Sequence, residues 1–578
     1  MLVYGDASFE ADVAQLTESI RLRVTRQRRP TLDQTRAVLV AAGQLEQALE
    51  DAPGPPVPEI RTLTRVAAEA FVRVSSGLAS PDRGPELLWI LGRVEAAVGA
   101  RQVRVRVPEG FAWYALYPDA YAQTASGWLR ALAPGTRVLV IGLRSIGTSL
   151  AAVVSAVLRA HGVEARDITL RPEGPPFERR ACLPSSLAAV DRVVVVDEGP
   201  GLSGSSMVAV ARALLDAGLG EQSISFFPGH GNGPGPMGTR EARALWGRIQ
   251  YYVTPLERVR LGQEALLDVL KGLAAAVLGE AVDGEPRDIG AGHWQSEAGA
   301  ASGRTHALAP PFEQPKYLVR GKSGEAVLLK YAGIAAAAPG DDGCLTLAER
   351  TCARLGRLAD RGLTVAPQAC AHGWLAIPWL HGRPLQRSDA DASTIERIGR
   401  FIASASGPRL GCDERTRSLE RLAAILTTNV PELLGPDRVE LPLQSVRAEL
   451  ASGLELPSYG DGRLAPHEWV RTPDGQILKV DAGGHEQDHT IVGPQSILWD
   501  IAGAIVEWDL SEESSIALVS AAGFPRMPMQ VLSCYGAAYA AFRGGMAYLS
   551  AGNDMSTLPV AFYRNRLQTE LARLETGA

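Results

Sequence analysis

The chain has little cysteine: six residues in 578 (Cys182, Cys344, Cys352, Cys370, Cys412 and Cys534), with no CxxC pair and no regular spacing. That excludes a disulfide framework and a cysteine-built zinc site, and fits buried or incidental thiols in a reducing compartment. Positive charge is not in excess either. Lys and Arg number 58 against 64 Asp and Glu, a formal net charge of −6, which argues against general affinity for nucleic acid or anionic membranes and leaves only local basic pockets open. No uncharged apolar run is long enough to span a bilayer, and the start, MLVYGDASFEAD, lacks the basic region and apolar core of a signal peptide. The expectation is a cytoplasmic protein whose partners are small molecules, not nucleic acid or membrane, with a homodimer left open.

What is present is length, enough for about three or four folding units. Residues 1–103 read as a helical N-terminal region, with LDQTRAVLVAAGQLEQALED placing apolar residues at three- and four-residue intervals. From Val103 the character changes. VRVRVP alternates like a strand, and RVLVIG, ARDITL, the valines of VVVVDEGPGLSGSS and SISFFP alternate with helical stretches. That pattern predicts a parallel sheet with crossover helices over 104–256. Residues 257–312 read as one helix, LGQEALLDVLKGLAAAVLG, followed by the Gly/Ala/Ser-rich linker or strap DIGAGHWQSEAGAASGRTHALAPP. A different architecture fills 313–578: KYLVRGKSGEAVLLKYAG predicts two antiparallel strands across a KSG turn, TLAERTCARLGRLADRGL a helix, and the remainder is mainly helical apart from QILKVDAGG.

The valine strand ends on Asp197 and Glu198 and then on a loop of small residues. Gly199, Gly201 and Gly204 permit close backbone approach, and Ser203, Ser205 and Ser206 offer hydroxyls at a helix N-terminus, a cradle for phosphate. The two acids before it would repel phosphate, so they are placed to accept bonds from sugar hydroxyls or to hold Mg2+ through water. This order of strand, acid pair and Gly/Ser loop resembles the phosphoribosyl-diphosphate motif of type I phosphoribosyltransferases. RVLVIGLRSIGTSLA resembles their pyrophosphate loop, with Arg144, Ser145, Ile146 and Gly147 at its turn, and the loop carrying Arg171, Arg179 and Arg180 resembles their mobile loop. Glu198 stands where a second Asp is usual, Leu202 where Thr is common. The resemblance implies displacement of diphosphate from phosphoribosyl diphosphate by a base-like nucleophile, with Asp197, Glu198 and Arg144 catalytic and Ser145, Gly147, Gly201, Leu202, Ser203, Gly204, Ser205 and Ser206 binding the substrate. Trp113, Tyr114 and Tyr117 are candidates to stack on a base, though core packing is the commoner role, and His230 reads as a loop residue.

In the last half, GKSG is not a phosphate loop, because no Gly stands six before the Lys and no buried strand leads into a helix there. Lys330 on the second strand and Glu349 on the following helix form a candidate pair for nucleotide phosphates. AHGWLAIPWLHGRPL resembles the hinge of aminoglycoside phosphotransferase-like kinases, with Ile377 to Leu380 at the adenine position. SYGDGRLAPHEWVRTPDGQILKVDAGG resembles their catalytic stretch, with Asp461 catalytic and Asp481 a Mg2+ ligand, and SILWDIAGA, with Asp500, the structural segment after it. The family's metal-binding Asn is missing. Either His467 or Glu468 replaces it, or this half no longer transfers phosphate. His485, Asp488 and His489 form a further polar cluster, read as an exposed loop rather than a metal site.

The expected fold is therefore multidomain α/β and α+β: a helical N-terminal region, a parallel-sheet phosphoribosyltransferase-like domain and a C-terminal bilobal kinase-like domain. The expected function is a bifunctional enzyme transferring phosphoribosyl groups from phosphoribosyl diphosphate and, with ATP and Mg2+, phosphorylating a related small molecule. The alternatives are a phosphoribosyl diphosphate or nucleotide sensor with a degenerate kinase half, and an active kinase whose sheet domain only recognises a ribosylated substrate.

Overall fold

The structure, a computed structural model, describes the chain apart from residues 6, 26–29, 79–81, 176, 185–189, 236, 298–312, 341–342, 344, 436–442, 484–489 and 577–578. The helical N-terminal region is clasped at both ends by one ribbon. Strand β1 (Ser8–Asp12) pairs antiparallel with β2 (Gln102–Arg106), and α1 (Val13–Thr25), α2 (Leu32–Asp51), α3 (Pro58–Ser75) and α4 (Gly84–Val98) lie between them. The VRVRVP strand thus belongs to this ribbon and not to the parallel sheet. Helix α2 starts at a reciprocal cap, Thr31 Oγ1 accepting from the Gln34 N–H while the Gln34 side chain accepts from the Thr31 N–H.

Two helices, α5 (Glu109–Ala112) and α6 (Pro118–Trp128), lead into the parallel sheet: β3 (Arg137–Leu143), α7 (Ile146–Ala160), β4 (Glu164–Leu170), β5 (Arg192–Val196), α8 (Ser205–Asp216), β6 (Ile224–Phe227), α9 (Arg240–Trp246) and β7 (Gln250–Tyr251). The strand order is β4-β3-β5-β6-β7, all parallel. The four valines explain their own burial. Val194 and Val196 point into the core on one face, Val193 and Val195 into the core on the other, so a strand covered on both sides is apolar after Arg192. The chain runs outward from β3 to β4 and then crosses back to β5, which makes the carboxyl ends of β3 and β5 the topological switch point, where a ligand crevice forms in such sheets.

After the short hairpin β8 (Arg260–Leu261) and β9 (Glu264–Ala265) comes α10 (Leu266–Leu278), then β10 (Val282–Asp288), α11 (Trp294–Glu297), β11 (Lys316–Gly321), β12 (Ala326–Tyr331), α12 (Leu347–Asp360), β13 (Ala369–Ala371) and β14 (Trp374–Pro378). These strands form an antiparallel sheet ordered β10-β11-β12-β14-β13. The KSG turn joins β11 to β12 as the sequence predicts. The stretch read as linker differs: residues 282–288 are the edge strand of this sheet, and part of the expected strap, 298–312, lies outside the described residues. A helical lobe follows, with β15 (Arg383–Pro384), α13 (Ala392–Ala405), α14 (Cys412–Leu434), α15 (Leu443–Gly453), β16 (Trp469–Arg471), β17 (Ile477–Lys479), α16 (Leu498–Glu507), α17 (Glu512–Ala521), α18 (Met529–Ser550) and α19 (Leu558–Thr576). Sheet lobe and helical lobe give the two-lobed layout expected here. Among the described residues no helix is long and apolar enough to cross a membrane.

The halves are not separate bodies. One hydrophobic core holds Leu39 and Phe71 of the N-terminal helices, Val153 of α7, and Tyr331 and Trp374 of the second sheet. Polar bonds cross the same boundary. The Phe111 carbonyl accepts from Tyr331 Oη at 2.7 Å and the Ile334 N–H at 2.8 Å. Tyr117 Oη donates to the His372 carbonyl and accepts from Trp374 Nε1, each at 2.7 Å, and the Gln44 side chain accepts from the Ala336 N–H at 2.7 Å. Arg36, wholly buried, joins Asp119 at 3.0 Å and Asp33 at 2.5 Å, and Asp33 accepts from the His372 N–H at 2.9 Å. A separate core around Trp469, Trp499, Tyr535 and Tyr563 fills the helical lobe.

Candidate functional site

Strand periodicity places the lysine of AVLLK. Val327, Leu329 and Tyr331 face the shared core, so Leu328 and Lys330 face the cleft between sheet lobe and helical lobe. The cleft encloses about 180 Å³. Its apolar walls come from Leu328, Val365, Ile377, Trp379 and Leu380, and its polar end from Lys316, Lys330, Arg463, Glu468 and Asp481. The hinge-like residues Ile377 to Leu380 thus lie on one wall with Lys330 and Asp481 at the end of the same cavity. Trp294 of α11 covers another side, stacked on His467 with ring centroids 5.4 Å apart.

At the polar end the pairing is dense. Lys330 Nζ binds Asp481 Oδ1 and donates to the Gly483 carbonyl at 2.9 Å. Asp481 Oδ2 faces Arg463 Nη2 at 3.4 Å and Lys316 Nζ at 3.8 Å. Arg463 Nε also binds Glu468. Behind them Lys479, which is 0 % exposed, stands 3.1 Å from Asp461 and 3.2 Å from Glu468. Burial alone would pull the Lys479 ammonium down, but Asp461 and Glu468 outweigh it and hold the pKa above its usual value. Lys330 shifts the other way, because burial exceeds the help it receives from Asp481.

Asp461 sits in the turn of SYGDGR, and Asp500 at the start of α16 fixes that turn. The Asp500 carboxylate accepts from the N–H groups of Gly460 (2.9 Å), Asp461 (3.1 Å) and Gly462 (2.7 Å). Burial and the nearby charge of Asp461 push Asp500 up to about 6 even so. Asp461 itself is 1 % exposed.

Several expected roles are corrected by these contacts. Glu349 does not reach Lys330. It caps its own helix, accepting from the Leu345 and Thr346 N–H groups at 2.8 and 3.0 Å, and pairs with Arg23 of α1 at 2.6 Å. The Mg2+ ligands fail in a different way. Mg2+ needs oxygen lone pairs turned toward it, but those of Asp481 face Lys330, Arg463 and Lys316, and Glu468 is taken by Arg463 and Lys479. His467 is stacked on Trp294 and pushed down to about 4 by burial, so it is neutral. The residues present therefore do not fit Mg2+ at this end of the cleft. Among the described residues no three His, Cys, Asp or Glu side chains converge as a metal site. The His485, Asp488 and His489 cluster lies outside the described residues. Sequence reasoning missed Lys316, Arg463 and Lys479, although a lysine inside the apolar run ILKV was itself a signal, since an interior lysine must find a carboxylate.

The second crevice lies at the switch point. Asp197 and Glu198 are partly exposed there, and among the described residues neither pairs with a Lys or Arg side chain. Glu198 Oε2 accepts from the Gly110 N–H at 2.6 Å, and Tyr121 Oη donates to the Asp197 carbonyl at 2.8 Å. Burial raises the pKa of both, Asp197 to about 6, and at Glu198 the charges of Glu109 and Asp197 add to it. Gly201 and Gly204 have φ of 55° and 66°, so their left-handed turns suit glycine. The loop is largely self-satisfied. Ser203 Oγ lies 3.0 Å from Ser205 Oγ and accepts from the Ser205 N–H at 3.2 Å. The Gly201 and Leu202 carbonyls accept from the N–H groups of Gly235 and Met237, each at 3.0 Å, so these two residues cover one side. Leu202 is exposed and Ser206 half-buried at the start of α8.

Arg144 is not aimed at a diphosphate. Its guanidinium donates to Asp51 and to the Glu50 carbonyl, each at 3.0 Å, and Arg171 is held by the same Asp51 at 2.5 Å. Ser145 precedes α7, and Gly147 is needed for packing: a Cβ there would lie 2.8 Å from the Val196 carbonyl, and one on Gly142 2.0 Å from the Gly147 carbonyl. Trp113 and Tyr117 are core residues, while Tyr114 and His230 are exposed.

No protein-family model and no curated protein sequence matches the chain. Similar solved structures include choline kinase LicA from Streptococcus pneumoniae, at 14 % identity over 54 % of this chain and 98 % of that one with a TM-score of 0.31. A choline/ethanolamine kinase family protein from Mesorhizobium loti is 16 % identical over 45 % and 85 %, TM-score 0.30. An aminoglycoside phosphotransferase from Alicyclobacillus acidocaldarius is 14 % identical over 45 % and 90 %, TM-score 0.31.

Proposed function

We propose that the C-terminal half binds a nucleotide in the cleft between its lobes and is laid out for ATP-dependent phosphoryl transfer to a small molecule. The observation that carries this reading is the convergence of Ile377 to Leu380, Lys330 and Asp481 on one cavity, from three strands and loops far apart in sequence. The apolar wall suits a flat base, Lys330 the phosphates, and Asp461, held in its turn by Asp500, is the carboxylate that would take the acceptor's proton. Isothermal titration of the full chain with ATP tests it. Saturable binding weakened about tenfold or more by Lys330→Met is expected; no binding by the parent protein refutes it.

A second reading concerns the parallel sheet. Two acids that among the described residues have no basic partner, beside a small-residue loop at the switch point, support a site for a phosphorylated sugar, phosphoribosyl diphosphate being the ligand the motif order suggests. With Arg144 and Arg171 held by Asp51, we assign Asp197 and Glu198 to the sugar hydroxyls and give the diphosphate no arginine. Thermal stabilisation by phosphoribosyl diphosphate that is lost in Asp197→Asn is expected, and equal stabilisation in the variant rejects the contact.

A further inference from the structure

Among the described residues, the cations Lys316, Lys330, Arg463 and Lys479 pair with the carboxylates Glu313, Asp461, Glu468 and Asp481 at the polar end of the cleft. Glu313 completes the set at 3.9 Å from Lys316 and also accepts from Trp294 Nε1 at 3.3 Å. Two observations explain how this came about. Glu349, the helical acid that would have engaged Lys330, is held by Arg23, which leaves Asp481 as the carboxylate for Lys330. Arg463 then reaches the other Asp481 oxygen, and a guanidinium cannot give up its charge to make room for a metal.

We infer that this cleft takes its nucleotide without a divalent cation, Lys316, Lys330 and Arg463 standing where metal charge would act. The inference rests on the nucleotide reading above and narrows it. Mg2+ could enter at Asp481 only by displacing Lys330 and Arg463 into one another's field inside a poorly solvated cleft, which burial makes costly.

The test titrates the full chain with ATP by calorimetry, in Mg2+ and in EDTA. Binding of ATP in EDTA within about threefold of that in Mg2+ is expected. A loss of more than about tenfold on adding EDTA overturns the inference while leaving the nucleotide reading intact; no binding under either condition overturns the nucleotide reading itself, and the inference with it. Arg463→Gln frees one Asp481 oxygen, so its ATP affinity is expected to become Mg2+-responsive, and continued indifference to Mg2+ removes Arg463 from the role. If that variant does not fold, Lys316→Gln, farther from Asp481 and without the Glu468 contact, is read in the same way.

Discussion

Replacing Lys479 by Met removes a buried cation that touches both Asp461 and Glu468 behind the polar end of the cleft. At 3.1 and 3.2 Å, with an effective dielectric of about 20, each attraction is about 5 kcal/mol before desolvation is set against it. Desolvation costs several kcal/mol for each ion, and breaking a buried pair by removing one partner leaves a net loss of about 3–5 kcal/mol. Urea unfolding followed by fluorescence measures it. A gap below about 1 kcal/mol refutes the assignment of Lys479 as the internal counter-ion.

Asp500→Ala leaves three loop N–H groups without their acceptor, and unfolding should fall by about 3 kcal/mol or more, with nucleotide affinity reduced alongside it. Glu46 is buried on α2 and pushed up to about 7 by that burial despite Thr64 and Arg61. Its folded pKa being raised, stability falls as pH rises toward 7, so Glu46→Gln should match the parent in acid and exceed it above neutrality by up to about 3 kcal/mol in urea titrations. Gly142→Ala places a methyl group 2.0 Å from the Gly147 carbonyl; the variant is expected to lose about 3 kcal/mol by overpacking, read as a lowered urea midpoint.

Much of the architecture was legible because local rules and the fold agree. Four valines between polar residues fix a strand buried on both faces, and the KSG turn fixes the β11–β12 hairpin. The strand position of Lys330 was also legible, as was the place of Asp481 just beyond the run ILKV. Partners were harder. Glu349 follows Thr346 by three residues, the spacing of a helix cap, and the cap together with Arg23 took it from Lys330. Nothing near Arg144 announces Asp51, 93 residues earlier, because long-range ion pairs leave no periodic trace. The edge strand β10 was hidden for a related reason: VDGEPRD is mostly exposed and carries a Gly and a Pro, so it lacks the alternation that marks a strand.

The boundary at Phe111, Tyr117 and Tyr331 sets how this chain can be divided. Severing it between the parallel sheet and the second sheet would not yield two finished proteins. Each fragment would emerge with a raw apolar wound and with donors and acceptors cut adrift, Tyr331 and Trp374 on one side, Phe111 and Gln44 on the other. Whatever chemistry each crevice performs, the two were obliged to persist as one inseparable molecule.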